Sequence, residues 1–201
     1  MNEPQTEIFL EKKGLPVVQR ALIKSKASAE AAAKKFGFPF VLKIISTAAL
    51  HKSAIGGVEI VYSHQELEQA YSRLKGISEK INGGLLGQRF VKGKELLVGL
   101  KADQTFGYTI IFGLGGVLTE QLKDVSIRIL PVSAAELAKM PTEIKSKEML
   151  KNCNMKAIIA VLKKVAGLAK PNFKILELDI NPLIVNEKKA VVADARAIFK
   201  E

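Results

Sequence analysis

The sequence predicts a mixed fold of helices and strands, sized for one domain or two small lobes. Three observations predict it. Capped helical segments alternate along the chain with apolar runs of strand length. Of the 201 residues 48% are apolar, enough for a proper core, yet no stretch reaches 18 uninterrupted apolar residues. The C-terminal end reads as a β-hairpin closed by a polar turn.

The elements follow in order. SAEAAAKKF (28–36) predicts a helix with Ser28 as N-cap, alanines inside, and Gly37 and Pro39 beyond its end. FVLKII (40–45) predicts a buried strand. After the loop STAALHKSAIGG, VEIVY (58–62) predicts the next strand. Ser63 and Glu66 form an S-x-x-E capping box for a helix running to about Lys75, before Gly76. GLLGQRFV and KELLVGLKA predict two strands joined at Lys92 and Gly93. YTIIFGLGGVLTEQL predicts a strand broken by a glycine-rich turn, and VSIRILPV another strand. Ser133 and Glu136 form a second capping box, and a basic helical region occupies about 145–169. LELDINPLIV and AVVADARAIF flank the turn Asn186–Lys189.

Composition narrows the function. The start, MNEPQTEIFLEKKG, lacks the apolar run of a secretory signal. The single cysteine, Cys153, excludes an intrachain disulfide and predicts a reducing cytoplasm. No histidine lies near it in sequence, which argues against a nucleophile. A net charge of +11 points to anionic ligands such as nucleotides, CoA esters or nucleic acid, or to a solvated basic surface. The lysines come in pairs, Lys12-Lys13, Lys34-Lys35, Lys163-Lys164 and Lys188-Lys189, and never in a block of five. Only 6% of residues are aromatic, which argues against a stacking platform for single strands.

The terminal hairpin carries the sharpest local reading. If Asn186–Lys189 is a four-residue loop, Val185 faces Ala190, Asn181 faces Asp194 and Asp179 faces Arg196. Directly opposed Cβ atoms lie about 4.5–5.5 Å apart. Alternation then places Glu177, Asp179, Asn181, Asp194 and Arg196 on one face, with Leu178, Ile180, Ile184 and Val191 on the other. A carboxylate and an amide oxygen so opposed suit Mg²⁺, which also takes phosphate oxygens. A solvated polar face with an Asp–Arg pair fits the same residues, and Pro182 can shift the register through a bulge.

Three further features carry chemistry. Lys43, inside FVLKII, needs an anionic partner: a nucleotide phosphate or an internal carboxylate. FGLGG (112–116) is a tight turn or a phosphate-approaching loop; no P-loop or dinucleotide fingerprint is present. His51 lies in the loop H-K-S-A-I-G-G, where Gly56 and Gly57 let the backbone approach a phosphate and Lys52 adds a positive charge. A loop histidine is also an ordinary solvated side chain, as His64 beside Ser63 is expected to be. Zinc spacing and a serine triad are absent from the sequence.

The strings FPFVLKI, LHKSAIGGV, KELLVGLKADQTFG, IIFGLGGVLTEQLKDVSIRILP and LELDINPLIVNEKKAVVADARAI occur in an order that resembles the ATP-grasp domain of ADP-forming acetyl-CoA synthetases, the beta part, related to the beta subunit of succinyl-CoA synthetase. The resemblance spans about residues 7–200. It implies an α+β ATP-grasp fold, two lobes on mainly antiparallel sheets with the nucleotide held between them, divided as 1–86 and 87–201. It implies the reaction acyl-CoA + ADP + phosphate = carboxylate + CoA + ATP, with ATP/ADP and Mg²⁺ as cofactors. An alpha subunit is implied as partner, carrying the CoA-binding and phosphohistidine domains and handling CoA ester and phosphate. His51 then matches the beta-part histidine that passes the phosphoryl group to ADP. Lys43 matches the lysine on the nucleotide phosphates, Glu95 the acid that holds the ribose, and Asn181 and Asp194 the magnesium ligands. Gln88, Phe90 and Val91 match the adenine-side hinge; Lys52, Gly56, Gly57 and Arg196 complete the expected nucleotide set. The chain departs from the pattern at Ala54, Arg89 and Tyr108, and in a shortened stretch after Pro131 that lacks the G-Y-R-G segment. Two other functions remain open at this point: a degenerate ATP-grasp module that binds nucleotide without turnover, and a basic nucleic-acid-binding protein, which explains the charge but none of the motifs.

Overall fold

Serine N-caps start three of the described α-helices. In a computed structural model that describes residues 3–46, 56–116 and 124–200, α2 (Lys26–Phe36) is capped by Ser25 rather than by Ser28. Ser25 Oγ accepts from the Ser28 N–H at 3.2 Å, and Ser28 Oγ accepts from the Ser25 N–H at 2.9 Å. Ser28 is thus the third residue of a reciprocal box, because Ser25 offers the same chemistry one turn earlier. α3 (His64–Lys80) starts at Ser63 as expected but continues through Gly76. A glycine inside a helix costs about 1 kcal/mol. Ile77 and Ile81 beyond it pack against the core, which outweighs that cost.

The chain forms two units, 18–91 and 3–17 with 92–201. In the first unit β1 (Arg20–Ile23), β2 (Phe40–Ile45), β3 (Val58–Val61) and β4 (Gly84–Arg89) form an antiparallel sheet in the order β1-β4-β2-β3. Phe40, Leu42 and Ile44 point to α2 and α3 and bury against Ala29, Ala33, Leu67 and Leu74. Gly87 fits under this core because a Cβ there would stand 2.5 Å from the Phe40 ring.

The second unit is built on β5 (Lys94–Asp103), β6 (Gly107–Leu114), β7 (Val125–Ile129), β8 (Ile175–Val185), β9 (Ala190–Val192) and β10 (Ala195–Phe199). Their order is β10-β8-β5-β6-β7, with β9 also paired to β8. α4 (Ala134–Glu143) and α5 (Met155–Ala166) cover one face, their Leu137, Met140, Ile158 and Leu162 buried with Val98, Leu100, Ile110 and Phe112. The basic helical region expected over 145–169 is narrower, because a 3₁₀ turn (Lys147–Leu150) and the N-cap Asn154 come first. β4 and β5, adjacent in sequence, belong to different sheets.

α1 (Glu3–Lys12) belongs to the second unit, so a single division at 86/87 does not describe the fold. Phe9 stands edge-on to Phe173 and Phe199, with ring centroids 6.5 and 5.5 Å away. The Val192 N–H donates to the Pro16 carbonyl at 2.9 Å, tying the segment after α1 to β9. Neither α1 nor β1 was legible as an element from its sequence pattern.

Candidate functional site

The C-terminal hairpin of the second unit keeps the expected register from the turn as far as the Glu177–Ile198 pair, and shifts only at Phe199. Val185 faces Ala190, Leu183 faces Val192 and Asp179 faces Arg196. Between these pairs the Asn181 N–H donates to the Asp194 carbonyl at 3.1 Å, and the Ala193 N–H to the Pro182 carbonyl at 3.0 Å. Pro182 therefore leaves the pairing with β9 and β10 intact. Its effect falls on the other side of β8. Leu183 pairs with Leu96 but Ile180 with Val98, so Asn181 and Pro182 together oppose the single residue Leu97. Proline donates no backbone hydrogen bond, and a bulge is where a sheet tolerates it.

That bulge corrects one expectation. Ile184 and Val191 are buried, yet the core cluster beside Leu178 and Ile180 takes Leu183, Val185, Ala190 and Val192 instead. The extra residue reverses the alternation beyond Asn181. Before it, Ala195 and Ala197 enter the core and Arg196 faces outward with Asp179.

Charge is concentrated on the outward face. Burial pushes the Asp179 carboxyl up to about 6, the charges of Asp194 and Glu177 push in the same direction, and Arg196 opposes them. Negative charge thus exceeds positive in a half-buried place, which a bound cation would relieve. Among the described residues no three His, Cys, Asp or Glu are grouped to hold a metal. Asn181 and Asp194 would supply two oxygens, leaving positions for phosphate and water, the usual pattern for Mg²⁺. Two carboxylates the sequence reading left out of the site, Asp179 and Glu177, belong to this constellation. Their signal was present in the strand alternation.

The glycine turn after β6 meets the same residues. The Gly116 N–H donates to Asn181 Oδ1 at 2.9 Å, which orients the amide oxygen and leaves it a second lone pair. Gly116 has φ +73°, and a Cβ there would lie 2.2 Å from Glu95 Oε2. The Gly115 N–H donates to the Glu95 carbonyl at 2.9 Å. Residues 112–114 of FGLGG therefore close β6, and only Gly115 and Gly116 leave the strand to pack on Glu95 and position Asn181. Glu95 itself is exposed near the start of β5.

In the first unit Lys43 is 3% exposed and Gln88 also 3%. Lys43 pairs with Leu86 and Gln88 with Val41, so both lie on the sheet face away from α2 and α3. Phe90 and Val91 follow β4 as half-buried residues outside any strand. Gly56 sits in an exposed turn at φ +66°, and the Gly57 carbonyl accepts from the Ile44 N–H at 2.8 Å. His51 and Lys52 lie outside the described residues.

Two helix-backed antiparallel sheets, one with a buried lysine and one with an acid-and-amide hairpin, define an ATP-grasp domain. The sequence profile of that domain family matches residues 1–198. The chain is 35% identical over 216 residues to the beta subunit of ADP-forming acetate–CoA ligase II of Pyrococcus furiosus, covering 100% of this chain and 92% of that subunit. It is 35% identical to ADP-forming acetate–CoA ligase II of Archaeoglobus fulgidus over 99% of its own length, and spans 30% of that longer protein. A structure from Ca. Korarchaeum cryptofilum, a dinucleotide-forming acetyl-coenzyme A synthetase 1 in complex with coenzyme A, Ca-AMPCP and HgCl⁺, superposes with a TM-score of 0.90 at 35% identity. It covers 100% of this chain and 93% of its own. The chain belongs to the ATP-grasp family, in the branch that forms the beta part of ADP-forming acetate–CoA ligases.

Proposed function

We propose that this chain is the nucleotide-binding part of an ADP-forming acyl-CoA synthetase and moves a phosphoryl group between a phosphohistidine and ADP or ATP. The observation that carries this reading is the Asn181–Asp194 pair, held in register across Pro182 and tied to the glycine turn through Gly116. Retention of this pair together with the buried Lys43 favours turnover over a binding-only module. The partner is an alpha part that binds CoA and carries the primary phosphohistidine. The single cysteine fits a reducing cytoplasm, and no described helix is long and apolar enough to cross a membrane.

Each residue has a distinct task. Lys43 binds phosphate oxygens in a water-poor place where its charge acts strongly. Glu95 accepts from the ribose hydroxyls, and Phe90 and Val91 offer apolar surface to the base, with Gln88 beside them. Arg196 balances the acids around the phosphates. Mg²⁺, held by Asn181 and Asp194, would neutralise charge on the phosphates. His51 attacks the phosphorus of the alpha-side phosphohistidine through a neutral ring nitrogen. A new N–P bond forms as the old one breaks, and a terminal oxygen of ADP then takes the phosphoryl group and frees His51. Lys52 and the Gly56-Gly57 backbone would stabilise the added negative charge.

Calorimetry with ADP, in the presence and absence of Mg²⁺, tests the metal assignment. Wild type should bind ADP more tightly with Mg²⁺, and Asp194→Ala should lose that difference. Mg²⁺-dependent binding that survives Asp194→Ala would overturn the assignment.

A further inference from the structure

The positive charge of the chain is unevenly placed, and the nucleotide site uses little of it. From Lys151 to Lys174 the sequence carries six lysines and no aspartate or glutamate. The fold gathers the later ones, with others, at one end of the second unit. Lys164 Nζ donates to the Gly14 carbonyl just past α1. Lys13 Nζ lies 4.1 Å from the Phe173 ring centroid. The Lys200 N–H donates to the Lys174 carbonyl at 2.7 Å. These contacts bring the end of α1, the end of α5, the 168–174 segment and the end of β10 together. Lys163, Lys164, Lys170, Lys174 and Lys200 are all exposed there.

A groove of about 470 Å³ adjoins this lysine cluster. Its walls are apolar, among them Tyr108, Leu130, Val132, Leu137 and Ala166, and its one charged lining residue is Lys163. The Tyr108 hydroxyl donates to the Ile175 carbonyl at 2.8 Å, which fixes that wall. The groove lies on the helix-bearing side of the sheet, whereas Asp179 and Arg196 face outward on the other side. It is therefore separate from the nucleotide residues.

We propose that the lysine-rich end and its groove form a docking surface for an acidic, amphipathic segment of the CoA-binding alpha part. One large apolar side chain fills the groove, and carboxylates on the same segment meet Lys163 and Lys170. Charge complementarity argues for an acidic partner. The apolar groove argues for a polypeptide over a nucleic acid, whose phosphates would gain nothing from it. The partner's identity rests on the proposed function; the surface does not.

The experiment measures assembly of the full chain with the alpha part of its own ligase by calorimetry, at low and high salt. The double variant Lys163→Glu, Lys170→Glu reverses the rim, and Ala134→Glu crowds the mouth of the groove. Ala134 is exposed in the first turn of α4, where an acidic residue suits the helix, so the fold is retained. The double variant should weaken assembly about tenfold or more and flatten its salt dependence, and Ala134→Glu should weaken it several-fold. ADP binding should stay at the wild-type level in both. Variants that assemble as tightly as wild type would remove the docking surface and leave the nucleotide reading standing. A wild-type chain that ignores the alpha part, or prefers RNA to it, would remove both.

Discussion

In the first unit the helix-free side of the sheet buries a cation, Lys43, beside Leu86 and Gln88. In the second unit the corresponding side gathers acids, Glu177, Asp179 and Asp194, with Arg196 paired to Asp179 and Lys101 to Glu177. The two sheets share an architecture, antiparallel strands backed on one face by helices, and differ in the sign of the charge on the helix-free side. A lysine suits phosphate oxygens directly, and an acid–amide pair suits them only through a cation. Lys43, Glu177 and Asp179 all sit in regularly paired strand, while Asn181 sits at the bulge and against Gly116, and Asp194 lies between β9 and β10, where the ladder is interrupted.

The largest expected effect lies in the connection between β2 and β3. In the complex with an alpha part, His51→Asn and His51→Ala should reduce phosphoryl transfer to ADP by about a hundredfold or more, with ADP binding retained. Single-turnover transfer measured apart from acyl-phosphate formation checks this. Near wild-type ATP formation by both variants would end the relay role.

Lys43→Met comes next. Methionine keeps the apolar stem and removes the charge, so the fold should persist. Loss of a charge-assisted contact to phosphate should weaken ADP binding about tenfold to a hundredfold. If affinity holds while thermal stability drops by several degrees, Lys43 serves an internal carboxylate and the contrast between the sheets disappears.

Asp179 tests the acidic side by pH. Its carboxyl is raised from the ordinary 3.8 to about 6. Well below pH 3.8 the group is protonated in folded and unfolded chains alike. As pH rises toward 6 the unfolded chain loses the proton first, so stability falls, by at most about 3 kcal/mol, and stays lower above. Asp179→Asn should therefore come close to wild type near pH 3.5 and exceed it near pH 7.5 in denaturant melts without metal. Adding Mg²⁺ and ADP should narrow the gap.

Much of this arrangement was legible in the sequence because it depends on counting. The pairing of Asn181 with Asp194 followed from a four-residue turn and a period of two, and the burial of Lys43 followed from its neighbours. The N-caps at Ser63 and Ser133 likewise depend on residues three apart, but the expected reciprocal half of each box is replaced: Glu66 accepts from the Tyr62 N–H, and Glu136 from Arg128 and Lys139. What escaped depends on partners distant in sequence. The bulge at Asn181–Pro182 is visible only against β5, and it reversed which of Leu183 and Ile184 enters the core. α1 is held by Phe173 and Phe199, far along the chain, and its short sequence shows no strong apolar stripe. Gly116 was one glycine among several until its N–H was seen against Asn181.

Two glycine-to-alanine substitutions sharpen the comparison with the smallest effects. Gly76 lies within α3 of the first unit, and a Cβ there meets nothing within 4 Å. Gly76→Ala should raise stability by about 0.5–1 kcal/mol, since alanine restricts the unfolded chain and favours the helix. Gly116 is the opposite case. Its φ of +73° disfavours any side chain, and the new methyl would displace the Glu95 carboxylate. Gly116→Ala should lower stability by about 1–2 kcal/mol. It should also loosen the amide of Asn181 and so reduce the gain in ADP affinity on adding Mg²⁺, an effect that Gly76→Ala must not share. Chemical denaturation and ADP titration with and without Mg²⁺, run on both variants, separate the two outcomes. If Gly116→Ala keeps the full Mg²⁺ dependence, the hydrogen bond to Asn181 only closes the turn, and the glycine loop belongs to the fold rather than to the metal site.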